Sequence, residues 1–128
     1  MRIIDLHVHV QPFHMLKPDV RATFWKTPED AAAAEAMAAD PRVLLARMDA
    51  DGIEQVGLIN YVSPDVMGFT DECNEWMVRY ASAAPDRFIP FGSVHPAYTA
   101  DVAERALDRK STRLNSSHMS ESRMPSSA

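Results

Sequence analysis

Ile3-Ile4-Asp5-Leu6-His7-Val8-His9-Val10-Gln11-Pro12 is an apolar run in which Asp5, His7 and His9 take every second position. Side chains two residues apart on a strand share a face. The alternation therefore predicts a strand over Arg2–Val8, with Asp5, His7 and His9 on one face and Ile4, Leu6 and Val8 on the other. Two neutral imidazoles at neighbouring positions of one face can hold a divalent cation, each at roughly 2.0–2.1 Å. Such a cation offsets the cost of placing polar groups among hydrocarbon. Taken alone, so short a pattern is more simply two ordinarily hydrogen-bonded histidines. Its place in the chain favours the metal: in a parallel α/β barrel, active sites gather at the C-terminal ends of the strands, where His7 and His9 would lie.

Outward from this stretch the chain alternates between strand and helix patterns. Residues 11–40 form a long connection holding Pro12, Pro18 and Pro28, then "TPEDAAAAEAMAAD". There Thr27 can cap a helix, Pro28 suits its first position and the alanines favour it. With so little bulky apolar surface this helix is expected outside, as a cover, with Phe24, Trp25 and Met37 resting on something beneath. Asp40-Pro41 opens a second helix and Asp51-Gly52 ends it. Ile53–Val62 reads as a second strand, Asp71–Ala84 as a helix with Cys73, Trp76, Met77 and Tyr80 on one face, and Arg87–Val94 as a third strand. A last helix begins at Tyr98 and runs to Leu107. The order β-α-β-α-β-α calls for a parallel sheet. The nearly continuous apolar strands lead us to expect both faces covered. No GxGxxG or GxxxxGK[ST] follows any strand, which disfavours a nucleotide-binding doubly wound sheet and favours a barrel.

Several segments are similar to a known family. "IIDLHVHVQP" resembles the first-strand motif of the amidohydrolase superfamily, metal-dependent (β/α) barrel enzymes. "LLARMDADGIEQVGLINYVSP", Leu44–Pro64, and "CNEWMVRYASAAPDRFIPFGSVHP", Cys73–Pro96, resemble its amidohydrolase-related branch, which includes the aminocarboxymuconate-semialdehyde decarboxylase type. The resemblance covers residues 2–107 and implies the first three βα units of a TIM barrel. It implies that His7 and His9 are the first two ligands of a divalent metal, foremost zinc. The family's remaining ligands, a histidine on each of the fifth and sixth strands and an aspartate on the eighth, would lie beyond this stretch. The implied function is that of a metal-dependent hydrolase or decarboxylase (a carbon–carbon lyase) acting on a small carboxylate or carbonyl substrate, the whole protein forming a homo-oligomer. On this reading residues 1–107 are an N-terminal part, inactive by itself, whose three βα units leave an edge strand and one apolar sheet face open to aggregation or oligomerisation. The competing expectations are a non-catalytic fragment with no function of its own, and a TatD-like or PHP-type metal phosphoesterase.

Other candidates have a functional and a structural reading side by side. His95 ends the third strand, where it either touches substrate or caps its own turn before Pro96. Asn60 ends the second strand, where it either binds substrate or is structural. Asp5 either orients the metal site from the same face or bonds backbone. His14 is expected in solvent, and Cys73, Trp76 and Met77 in the core.

Composition narrows the partners. The 128 residues are 46% hydrophobic and 24% charged, with a net charge of −5. That is ordinary for a globular protein and gives no sign of a nucleic-acid or anionic-membrane partner. A single cysteine fits a reducing compartment. No early run reads as a signal peptide and none approaches the roughly 18 apolar residues of a membrane span, so a cytoplasmic location is expected. From Asp108 the composition changes: seven of the last 21 residues are serine, and the charge turns positive. By physics this segment is a disordered extension. "DRKSTRLNSSH", Asp108–His118, and "SRMPSSA", Ser122–Ala128, also resemble the in-frame translation of a common sequencing adapter, which makes 108–128 a non-native tail and gives His118 no role.

Overall fold

The computed structural model describes residues 1–99 and 101–107. The Ser-rich tail expectation lies outside the described residues. The elements are strand β1 (Ile4–Val8), a 3-10 turn (Phe13–Met15), helices α1 (Pro18–Phe24), α2 (Pro28–Ala39) and α3 (Pro41–Asp51), strand β2 (Gln55–Leu58), helix α4 (Glu72–Ala81) and strand β3 (Phe88–Pro90). Residues 102–107 are helical. The strands form one parallel sheet in the order β1-β2-β3. The chain is thus mixed α/β with helices between parallel strands.

Local chemistry explains the boundaries. Thr27 accepts from Asp30 N–H at 3.1 Å and Pro28 occupies the first turn of α2. Asp40 ends α2 and also caps α3, accepting from Arg42 N–H at 2.9 Å. Gly52 closes α3 in the left-handed region at φ 71°, where an L side chain is strained. The turn is completed by Ile53 N–H donating to Met48 O at 2.8 Å.

The core lies between the sheet and helices α3 and α4. Val56 and Leu58 of β2, Phe88 of β3, Leu44 and Met48 of α3, and Met77, Tyr80 and Ala81 of α4 pack there, joined by Val10. A second cluster of Phe13, Leu16, Val62, Phe69 and Cys73 sits under α1 and α2, with Trp25 and Ala34 against it. The expected cover is therefore present. Helix α2 buries no residue fully, while Met37 and Ala38 rest on the first cluster. Cys73 and Met77 are buried and Trp76 packs at the edge, as expected.

Two expectations need correction. The long connection over residues 11–40 holds a further helix, α1, because Pro18 stands in its first turn, where a missing N–H costs nothing. The strands are shorter than the apolar runs, because a ladder lasts only as long as its neighbour pairs with it. One sheet face is left open, as three βα units by themselves would leave it. In β1, Ile4 is 44% and Leu6 57% exposed. It is an edge strand, and only Val8, with Val10 beyond its end, reaches the core.

Candidate metal centre

The register of β1 on β2 sets the direction of each side chain near the histidines. Ile4 pairs with Gln55 and Asp5 with Val56, but Val8 pairs with Leu58. Leu6 and His7 together therefore oppose the single residue Gly57, as in a β-bulge. A Cβ at Gly57 would stand 2.9 Å from Leu6 O and 2.9 Å from the Phe91 ring. Only glycine leaves room for the bulged strand there.

The bulge changes the predicted alternation. By register Asp5 aligns with Val56 and Val8 with Leu58, the side the helices cover, although of the two only Val8 packs on the core and Asp5 stays exposed. Asp5 is thereby separated from the histidines. Its carboxylate instead accepts from the His7 backbone N–H at 3.0 Å, bracing the bulge. Asp5 takes the backbone-bonding role rather than lining the histidine face.

His7 and His9 do project together. Their Nε2 atoms are 3.0 Å apart and their ring centroids 4.8 Å apart, with the rings near perpendicular. Both residues are exposed, on the side opposite Val8 and Val10. Two nitrogens about 2.1 Å from a shared cation stand about 3.0 Å apart at a right-angle bite and about 3.4 Å at a tetrahedral one. The observed separation thus suits a shared cation, as it also suits one N–H···N bond. Among the described residues no group of three or more His, Cys, Asp or Glu gathers around a common point.

The second imidazole is held from behind. His9 Nδ1 lies 3.1 Å from Ile59 O and 3.2 Å from the side-chain nitrogen of Gln11. Tyr61 sets its ring edge against His9, with centroids 5.9 Å apart. Burial raises the Tyr61 phenol above its ordinary range, and a bond with Gln11 offsets part of that rise. Gln11 and Tyr61 escaped the sequence reading. The signal for Gln11 was present, since it continues the i, i+2 row of His7 and His9.

The other candidates lie elsewhere. Asn60 does not join the histidines: it is 4% exposed and turned beneath α4, donating to Cys73 O at 3.1 Å. Its Oδ1 is buried with no hydrogen-bond partner among the described residues. Beside it, Asn74 accepts from Ser93 N–H at 2.8 Å and donates to Ser93 O at 3.0 Å, tying α4 to the segment after β3. His95 is half-buried and its Nδ1 accepts from Ala97 N–H at 3.1 Å. In the neutral ring the proton then sits on Nε2, which is left as a donor. The neighbouring Tyr98 hydroxyl bonds Asp65. His14 is exposed in the 3-10 turn. No helix among the described residues is long and apolar enough to cross a membrane. Comparison with protein-family models, curated proteins and solved structures finds no match.

Proposed function

We propose that His7 and His9 are two ligands of a divalent cation, foremost zinc, in the N-terminal part of a metal-dependent hydrolase or decarboxylase of amidohydrolase type. The observation that carries this reading is the 3.0 Å approach of the two Nε2 atoms at the C-terminal end of a parallel strand. The parallel β1-β2-β3 order with intervening helices supports an assignment to the opening units of a (β/α) barrel, whose chemistry belongs at that end of the strands. When bound, such a cation supplies Lewis acidity toward carbonyl, carboxylate and water. The substrate class is accordingly a small carboxylate or carbonyl compound. His95 offers its Nε2–H to a substrate oxygen, with its own turn fixing the ring. The one cysteine, Cys73, is buried in α4, and a single cysteine suits work in the reducing cytoplasm.

Two imidazoles are half of a zinc ligand set, so this polypeptide alone is expected to bind zinc weakly and not to turn over substrate. Zinc titration of the chain, His7→Ala and His9→Ala tests the reading, with hydrolysis and decarboxylation assays run beside a full-length relative. The expected result is weak, one-to-one zinc binding that either substitution lowers at least tenfold. Binding that both substitutions leave unchanged contradicts the metal assignment. Tight binding with turnover in the chain itself contradicts its partial character.

A further inference from the structure

His9 Nδ1 has two polar neighbours that make opposite demands. The Ile59 carbonyl, 3.1 Å away, can only accept, so a bond there requires the proton on Nδ1. The Gln11 side-chain nitrogen, 3.2 Å away, can only donate, so a bond there requires Nδ1 to be bare. One ring nitrogen cannot satisfy both. Gln11 is 1% exposed, and its Oε1 is buried with no hydrogen-bond partner among the described residues. A half-turn of the terminal amide exchanges its oxygen and nitrogen at little change in shape. That half-turn brings Oε1 to Nδ1, where it shares the N–H with Ile59 O. It removes the clash of two donors and breaks no bond of Oε1; the bond from the amide nitrogen to the Tyr61 phenol is given up, and the phenol O–H can donate to Oε1 in its place.

Resting on the metal reading above, we propose that Gln11 is a positioning residue for the cation site. Through Oε1, and together with Ile59 O, it keeps the His9 proton on Nδ1 and so leaves the Nε2 lone pair turned toward His7 and the cation. The opposite tautomer would place a proton on Nε2, only 3.0 Å from His7 Nε2, and close that position to a metal. Partners that fix a ligating imidazole in this way are typically worth about 10–100-fold in metal affinity.

Two measurements on the full chain test this. Long-range proton–nitrogen correlation spectra of the zinc-free chain, at a pH of about 9 where an ordinary imidazole is neutral, report the His9 tautomer directly. Competition with a chromophoric chelator gives the zinc affinity of the wild type, Gln11→Met and Gln11→Glu. The expected results are an Nδ1–H tautomer in the wild type, an affinity lowered about 10–100-fold in Gln11→Met, and an affinity retained in Gln11→Glu, which keeps the acceptor. An Nε2–H tautomer in the wild type overturns the proposal, as does unchanged zinc affinity in a folded Gln11→Met. If Gln11→Met does not fold, the wild-type tautomer decides. If the wild type binds zinc no better than His9→Ala, the metal reading fails, and the same spectra still judge Gln11.

Discussion

At the scale of single residues, the chain shows how one period-two pattern can be half right. The pairing of His7 with His9 was legible because they lie beyond the bulge, where the alternation is unbroken. The placement of Asp5 was not, because the register shift depends on Gly57 of a strand some fifty positions away, which no local pattern reveals. The bond from Asn60 to Cys73 O was hidden for a related reason: no local pattern tells which helix will pack over a strand end. Tyr80 offers a test at this scale. Burial, and then the Asp40 carboxylate, push its phenol above the ordinary tyrosine range, while its hydroxyl donates to Met37 O at 2.6 Å. In the unfolded chain that phenol ionises from about pH 10, whereas in the folded chain it keeps its proton. Its contribution is therefore fully present below about pH 10 and lost as pH rises above that value. Urea midpoints at two pH values either side of 10 should fall more in the wild type than in Tyr80→Phe. Equal falls would show that the buried phenol does not carry the effect.

At the scale of elements, the ends of α2 and α3 were written locally, in Thr27-Pro28, Asp40-Pro41 and Gly52. Helix α1 was not, because three prolines within residues 11–40 look like a broken connection until Pro18 is seen at a first turn. Strand lengths were overestimated because apolar runs record burial as well as pairing. The contact of β1 with β2 is the element on which the site depends. Gly57→Ala places a methyl against Leu6 O and Phe91, so β1 or Phe91 must move. Overpacking of this kind costs about 1–3 kcal/mol. Chemical denaturation should register that loss, and the same variant should bind zinc more weakly, since the bulge that presents His7 is displaced. A variant as stable as the wild type, with unchanged zinc binding, would show that the close approach at Gly57 is not needed.

At the scale of the whole molecule, the parallel α/β architecture was legible from the order of its elements, and the open apolar face from their number. Ile3, Ile4 and Leu6 remain exposed on edge strand β1, at 38%, 44% and 57%. An apolar edge strand invites pairing with another chain. Sedimentation over a range of concentrations should show reversible self-association that Leu6→Glu reduces. Association unaffected by that charge would place the contact elsewhere. The claim on which the account rests is narrower: one cation between two imidazoles. The most direct measurement is an anomalous difference map at the zinc edge from zinc-soaked crystals of the chain. The account predicts a peak within bonding distance, roughly 2.0–2.1 Å, of Nε2 in both His7 and His9. Zinc found only at other side chains, with the two imidazoles still bonded to each other, would contradict it.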